Sequence, residues 1–328
     1  MSFSLLGTGS PLLDIQLAVD DCFLEQAVPG KKGGMEPLTS EEISGIIQKS
    51  GKTPEYFPGG AAGNTVFALS RFQVKSALRG KLASDGNFTS RYLQFCNEHG
   101  VDTSQLVFSD TGSTGCCLAL VTPDAERTMR SALGVSLELS SQEIADSAFS
   151  DYDAALFEGF MAYSGKLKEM VSQAHSQKCF TILDLASFEI CRKFRELFLE
   201  LMPQVSMIVA NSQEAEAFTG SPDPETALDI LSGMVKVCAV KCGAQGVWFS
   251  GNGERFFTPA YPAEAVVDTT AAGDLWLAGY IAGKDRGFDD RTSVVCGTMF
   301  SSKVISHRGS VLTDDDVLQL SKAMSCLS

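Results

Sequence analysis

No run of about 18 apolar residues occurs anywhere in this chain, which leaves no candidate for a membrane-spanning helix. The opening residues, MSFSLLGTGSPLLDIQ, lack both a basic n-region and a long apolar core, so they do not read as an export signal. Ten cysteines are present, yet none forms a C-x-x-C pair, and Cys116 and Cys117 are adjacent. That pattern reads as reduced thiols in a cytoplasmic protein, not as a disulfide scaffold. His99, His175 and His307 are scattered, and scattered imidazoles do not suggest a zinc site. Basic residues are scarce: 26 Lys and Arg stand against 40 Asp and Glu, for a net charge of -14. Such a balance argues against nucleic acid or an anionic membrane as partner. An anionic substrate would need a local positive site. The P-loop pattern GxxxxGK[ST] is missing, and GTGSPL does not have GxGxxG spacing. Both a P-loop NTPase and a dinucleotide dehydrogenase are therefore disfavoured.

What is present is an ordinary globular balance, 44% apolar over 328 residues, enough for one large α/β domain with a small appendage. Apolar, β-rich runs at Phe3 to Leu6, Ala154 to Phe157, Phe180 to Leu183, Val205 to Val209 and Val237 to Val240 alternate with helical patterns. The helical patterns fall at 61–72, 88–98, 164–177, 189–201 and 212–219, and the last third is helical at about 272–284, 290–306 and 315–326. This alternation predicts a mostly parallel sheet covered on both faces. Two segments break it. Residues 15–38 end in the turn-rich PGKKGG, and GCCLALVTPDAERTMRS at 115–131 reads as two strands joined by a Pro-Asp-Ala turn. They are expected to form a small β-lid over the site, the alternative being an ordinary peripheral hairpin.

Four segments carry chemistry. In VVDTTAAGDLWLAGYIAG, residues 266–283, an apolar strand is expected to end at Asp268, and Ala271, Ala272, Gly273 and Asp274 open a helix. Small residues at a helix N-terminus expose N–H groups to an anion, and the helix dipole adds positive charge there. On spacing alone Asp274 is equally a helix-favouring carboxylate. In FPGGAAGNTVFALSRF, residues 57–72, Gly59 and Gly60 permit close backbone approach to a ligand and Asn64 offers a donor and an acceptor. A tight turn feeding a packed helix fits the same residues. In NSQEAEAF, residues 211–218, Asn211 is a plausible N-cap, while Glu214 suits Mg²⁺ through water. In VKCGAQGVWF, residues 240–249, the glycines form either an anion nest or a plain β-turn.

Taken together, in this order and spacing, these segments resemble the PfkB, or ribokinase-like, family of carbohydrate and nucleoside kinases. The family signature DTTGAGD is matched by Asp268-Thr269-Thr270-Ala271-Ala272-Gly273-Asp274, and its Gly-Gly…Asn signature by Gly59, Gly60 and Asn64. Its N-x-x-E motif is matched by Asn211 and Glu214, and its K-x-G-x-x-G turn by Lys241, Gly243 and Gly246. GSPLLDI, TPDAERTMRSALG, EGF at 158–160 and VISHRG at 304–309 are most similar to bacterial adenosine-kinase-like members.

The resemblance implies a three-layer αβα domain over residues 1–328, with a lid from about 15–38 and 107–131. It implies ATP and Mg²⁺ as cosubstrates, and a monovalent cation such as K⁺, for which Asp268 is a possible ligand. Asp274 would be the general base, with residues 271–273 as anion hole. Ser10, Asp14, Gly59, Gly60, Asn64, Cys117, Leu133 and Phe160 would line the acceptor pocket. Arg127, Asn211, Lys241, Gly243, Gly246 and Thr269 would serve ATP and its phosphates, and Glu214 the magnesium. Family members commonly carry Gly at the position of Ala271, and adenosine-kinase-like ones Asn at that of Ser10.

Three readings follow: a kinase for a nucleoside, with adenosine first; a sugar kinase of the ribokinase or fructokinase type; and a ligand-binding protein on a degenerate kinase fold. A monomer or homodimer fits any of them.

Overall fold

A computed structural model describes residues 3–84, 86–124, 126–146 and 148–327. Its centre is an eight-stranded sheet in the order Glu254–Pro259, Gly246–Gly251, Val237–Lys241, Met207–Asn211, Phe180–Asp184, Ala154–Glu158, Leu5–Thr8, Ser76–Arg79. The last six run parallel; the first two form an antiparallel hairpin on one edge. Successive strand residues point to opposite faces, so Leu5, Leu156, Ile182 and Val209 enter one core and Leu6, Phe157, Leu183 and Ile208 the other. Helices Ala61–Arg71, Asn87–Glu98, Ala272–Asp285, Asp290–Val304 and Asp314–Ser325 carry residues of the first core. Leu167–Ser176, Arg195–Leu201, Ser212–Thr219 and Pro224–Ser232 cover the second. Three layers result, as the strand-helix alternation predicts.

A second sheet of five strands, in the order Met35–Pro37, Arg127–Ala132, Gly115–Val121, Leu12–Ala18, Glu55–Gly59, stands apart from the first. Leu13, Ile15 and Leu17, with Cys116, Leu118 and Leu120, pack against Leu24, Ile43 and Ile46 of two short helices. The alternate residues, Asp14, Gln16, Cys117, Ala119, Arg127 and Met129, line a cavity of about 350 Å³ on the other face. Period-two geometry thus separates the small sheet's structural side from its chemical side.

Several boundaries differ from the sequence reading. Residues 107–109 pair in parallel with Lys81–Ala83, not with the small sheet, and the strand from Arg127 runs on to Ala132. Glu55–Gly59 is an unexpected edge strand, where Pro58 does not interrupt central pairing. Ala125 of the expected Pro-Asp-Ala turn lies outside the described residues. The expected strand ending at Asp268 is a loop: Val266 and Val267 are 69% and 55% exposed, and the N–H groups of Val267 and Asp268 both donate to the Ile305 carbonyl. With no neighbouring strand among the described residues to receive it, an apolar β-branched pair does not become one. Among the described residues, no helix is long and apolar enough to cross a membrane.

Candidate active site

In a parallel sheet every strand ends at the same edge, and ligands collect there. Here that edge carries Glu158, Asp184, Asn211 and Lys241, the last residues of four neighbouring strands. Above it come the N-termini of helices Ala61–Arg71 and Ala272–Asp285, and then the small sheet.

The first helix begins at Gly60, whose φ of 91° L-residues rarely adopt; a Cβ there would lie 2.3 Å from the Ser10 carbonyl oxygen. The close approach brings Asn64 onto the site. Its Nδ2 donates to Asp274 Oδ2 at 2.8 Å, while its Oδ1, buried, has no hydrogen-bond partner among the described residues. An orphaned buried acceptor costs about 1–3 kcal/mol, and such a cost marks a place where a ligand hydroxyl would settle.

Glu158 is 1% exposed and accepts from Ser10 N at 2.7 Å and Ala62 N at 3.0 Å, clasping the two loops that frame Gly60. Neither Glu158 nor Asp184 stands among the site residues expected from the sequence. The signal available was an acidic residue closing an otherwise apolar strand run, LFE and TILD.

Asp274 lies half-buried in the first turn of its helix. Burial, then the negative charges of Asp184 and Glu158, push its carboxyl up to about 8, against the pull of Asn64 and Lys241. Lys241 Nζ sits 3.4 Å from Asp184 Oδ2, and a Cβ at Gly273 would come within 2.7 Å of it. The ammonium therefore lies against the helix N-terminus. Burial lowers its pKa, but Asp184, Glu214 and Asp274 more than offset this and raise it, so it is charged. Asn211 and Glu214 form a capping box at the helix that follows, and burial with the Asp184 charge pushes Glu214 up to about 7.

Ala271 precedes the helix at φ 60°, ψ 6°, a left-handed conformation that favours glycine. The Ala272 N–H closes a turn on the Thr269 carbonyl at 3.3 Å, leaving it less available to an anion. Gly243 and Gly246 sit at positive φ, and Gly246 has a packing reason: a Cβ there would lie 2.1 Å from the Thr258 carbonyl oxygen.

Asp14 is half-buried on the small sheet, opposite Phe57 and Cys117 in register. Burial pushes it up to about 7; Arg127 opposes and Asp268 adds to this. Gly59 is needed for that placement, since a Cβ there would lie 2.5 Å from Asp14 Oδ2. Arg127 donates through NH1 to Asp268 Oδ1 and Thr270 Oγ1, both at 3.0 Å. Leu133 and Phe160 are 40% and 37% exposed and do not line the cavity, although the short helical turns that follow or contain them pack on each other. A second cavity of about 180 Å³, between the Tyr261–Glu264 loop and the C-terminal helices, includes none of the residues expected to act.

Residues 38–316 match the family model described as "pfkB family carbohydrate kinase". An uncharacterized sugar kinase of Archaeoglobus fulgidus is 28% identical over 246 residues, covering 74% of this chain and 95% of the relative. An adenosine kinase of Schizophyllum commune is 25% identical over 336 residues, covering 94% and 96%. Among solved structures, the adenosine kinase of Sinorhizobium meliloti superposes with a TM-score of 0.84 at 27% identity, covering 98% of this chain and all of that one.

Proposed function

The chain belongs to the pfkB family of carbohydrate kinases, phosphotransferases with an alcohol group as acceptor, and we propose that its acceptor is a nucleoside, adenosine, phosphorylated on the 5′-hydroxyl. The observation that carries this is the make-up of the cavity under the small sheet. A carboxylate, Asp14, lines it between Phe57 and Cys117, which with Ala119 and Met129 supply apolar surface beside it. A ribose needs an acceptor for its vicinal hydroxyls, and a purine needs an apolar slot. Leu133 and Phe160, exposed on adjoining turns, would close over the base.

In this reading the acceptor hydroxyl lies against Asp274 Oδ. Its oxygen attacks the γ-phosphorus of ATP, the bond to the bridging oxygen of ADP breaks, and the proton passes to Asp274. A carboxylate pushed up to about 8 is a stronger base than a solvated one, which suits an alcohol that loses its proton during transfer. The orphaned Oδ1 of Asn64 accepts from a neighbouring ribose hydroxyl and fixes the attack angle. Charge developing on the transferred group meets the helix N-terminus at 271–273 and the ammonium of Lys241.

No cluster of three ligating side chains exists among the described residues, but Asp184 and Glu214 are hard oxygen donors of the kind Mg²⁺ takes through its waters. Bound there, Mg²⁺ would neutralise phosphate charge. Thr269, Asn211, Gly243 and Gly246 would border the nucleotide.

The test is kcat/KM for adenosine, inosine, ribose and fructose with MgATP under one set of conditions. Burying the purine face is worth about 2–3 kcal/mol, so adenosine should lead the free sugars by roughly 30- to 150-fold. A tenfold lead for ribose or fructose would replace the nucleoside with a sugar.

A further inference from the structure

Asp268 is the residue to which the family resemblance assigns a monovalent cation, and the donor set around it leaves such an ion no oxygen. Oδ1 accepts from Thr270 Oγ1 at 2.6 Å, Thr270 N at 3.0 Å and Arg127 NH1 at 3.0 Å. Oδ2 accepts from Gln16 Nε2 and Gly309 N, each at 3.3 Å. A carboxylate has about four lone-pair sites, and five donors already meet this one. Its side chain is 7% exposed, so its charge needs a partner close by, and the guanidinium provides it.

The residues present do not fit the cation. We infer that the Arg127 guanidinium is the built-in counter-ion of Asp268, so that phosphoryl transfer by this chain proceeds without K⁺ or any other monovalent ion.

The origin of the counter-ion adds a second function. Arg127 and Gln16 both project from the cavity face of the small sheet, whereas Asp268 and Thr270 belong to the loop that leads into the Asp274 helix. The contact that neutralises Asp268 is also the one that seats the small sheet on the catalytic loop. A diffusible ion would do the first without the second. Arg127 is thus a positioning residue: it acts on the anion-binding turn through Asp268 and Thr270. The inference rests on kinase activity as such and not on which alcohol is accepted.

Two measurements on the full chain test it. The first is the rate of ADP release with MgATP and whichever acceptor is used, with tetramethylammonium exchanged for K⁺ or Na⁺ at constant ionic strength. The wild-type rate should change by less than about twofold, since only general screening is left. Arg127→Gln should lose about tenfold or more of kcat/KM and regain part of it in K⁺, while Arg127→Lys should keep a larger share in its absence. Activation of the wild type by K⁺ of about tenfold or more overturns the inference. The second is thermal melting in potassium against tetramethylammonium chloride, which needs no acceptor and stands whatever the substrate proves to be. The wild type should melt alike in both, and Arg127→Gln higher in potassium. Identical melting of Arg127→Gln in the two salts, or potassium-specific stabilisation of the wild type, refutes the counter-ion assignment.

Discussion

Replacing Asp274 by Asn should cripple the enzyme and stabilise the protein, and the two effects together test the reading of the site. The carboxyl is moved from 3.8 to about 8, first by burial and then by the charge of Asp184. A carboxyl whose folded pKa is raised contributes stability at acid pH and loses it as pH climbs from the unfolded value through the folded one. Fully realised, that displacement would cost the folded state about 6 kcal/mol above pH 8. Asp274 is only half-buried, and Lys241 loses an attractive neighbour in the variant, so the net gain from Asn should be about 1–2 kcal/mol. In a protein of this size that is a rise in Tm of about 1.5–3 °C. The hydrogen bond from Asn64 Nδ2 survives, because the Asn oxygen still accepts. Melts of both proteins at pH 5.5 and pH 8.5 give the decisive comparison, with the gap widening at the higher pH. In parallel, kcat should fall by roughly 10²- to 10⁴-fold, the usual scale for losing a general base. A variant no more stable at pH 8.5, or a gap independent of pH, would show that the site does not hold a strained charge. A variant within about threefold of wild-type kcat would remove Asp274 from the base role.

Other outcomes follow from the same geometry. Ala271→Gly relieves a left-handed alanine and should raise unfolding free energy by up to about 1 kcal/mol with kcat level or higher; a clear fall in kcat with the fold intact would make the methyl a selected contact. Glu158→Gln keeps one of two backbone acceptors and turns an amide donor toward the other N–H, so melting should show a loss of about 2–3 kcal/mol. Its KM for the acceptor should rise more than its KM for ATP, and equal changes in both would count against Glu158 as the clasp of the acceptor loops. Wild-type kcat/KM for the acceptor should rise with pH up to about 8, as the free-enzyme Asp274 loses its proton; a flat profile from pH 6 to 9 contradicts the raised carboxyl.

Much of this could be read from the chain alone, and the parts that could not share a physical reason. Apolar runs such as Ala154–Glu158 and Phe180–Asp184 are buried on both faces, so their composition betrays them without regard to partners. Glu55–Gly59 has no such run and becomes a strand only because Leu12–Ala18 offers it an edge. Val266 and Val267 have the composition and lack the edge. Asp268, Asn64, Gly60 and Asp274 stand in small-residue segments whose spacing alone left a plain turn or helix start open, and only the family resemblance set them apart as candidates. Glu158 and Asp184 had no such segment to mark them, because each acts across 96 residues or more in one case and 57 in the other, on Ala62 and on Lys241. Pairing at that range is written in the topology, not in any window of sequence.

The small sheet is assembled from two excursions of the chain, one between Leu5–Thr8 and Ser76–Arg79 and the other between Ser76–Arg79 and Ala154–Glu158. As the polypeptide emerges from the ribosome, Leu12–Ala18 therefore waits for about a hundred further residues before its parallel neighbour Gly115–Val121 exists, several seconds or more at ordinary synthesis rates. For that interval one edge of the strand is unpaired, and Cys116, Leu118, Leu120 and Ala132, four of the twelve buried residues in the cluster around Leu13, Ile15 and Leu17, have yet to be made. The small sheet is thus a part of the fold whose strand pairing must wait on synthesis of a distant segment of the chain.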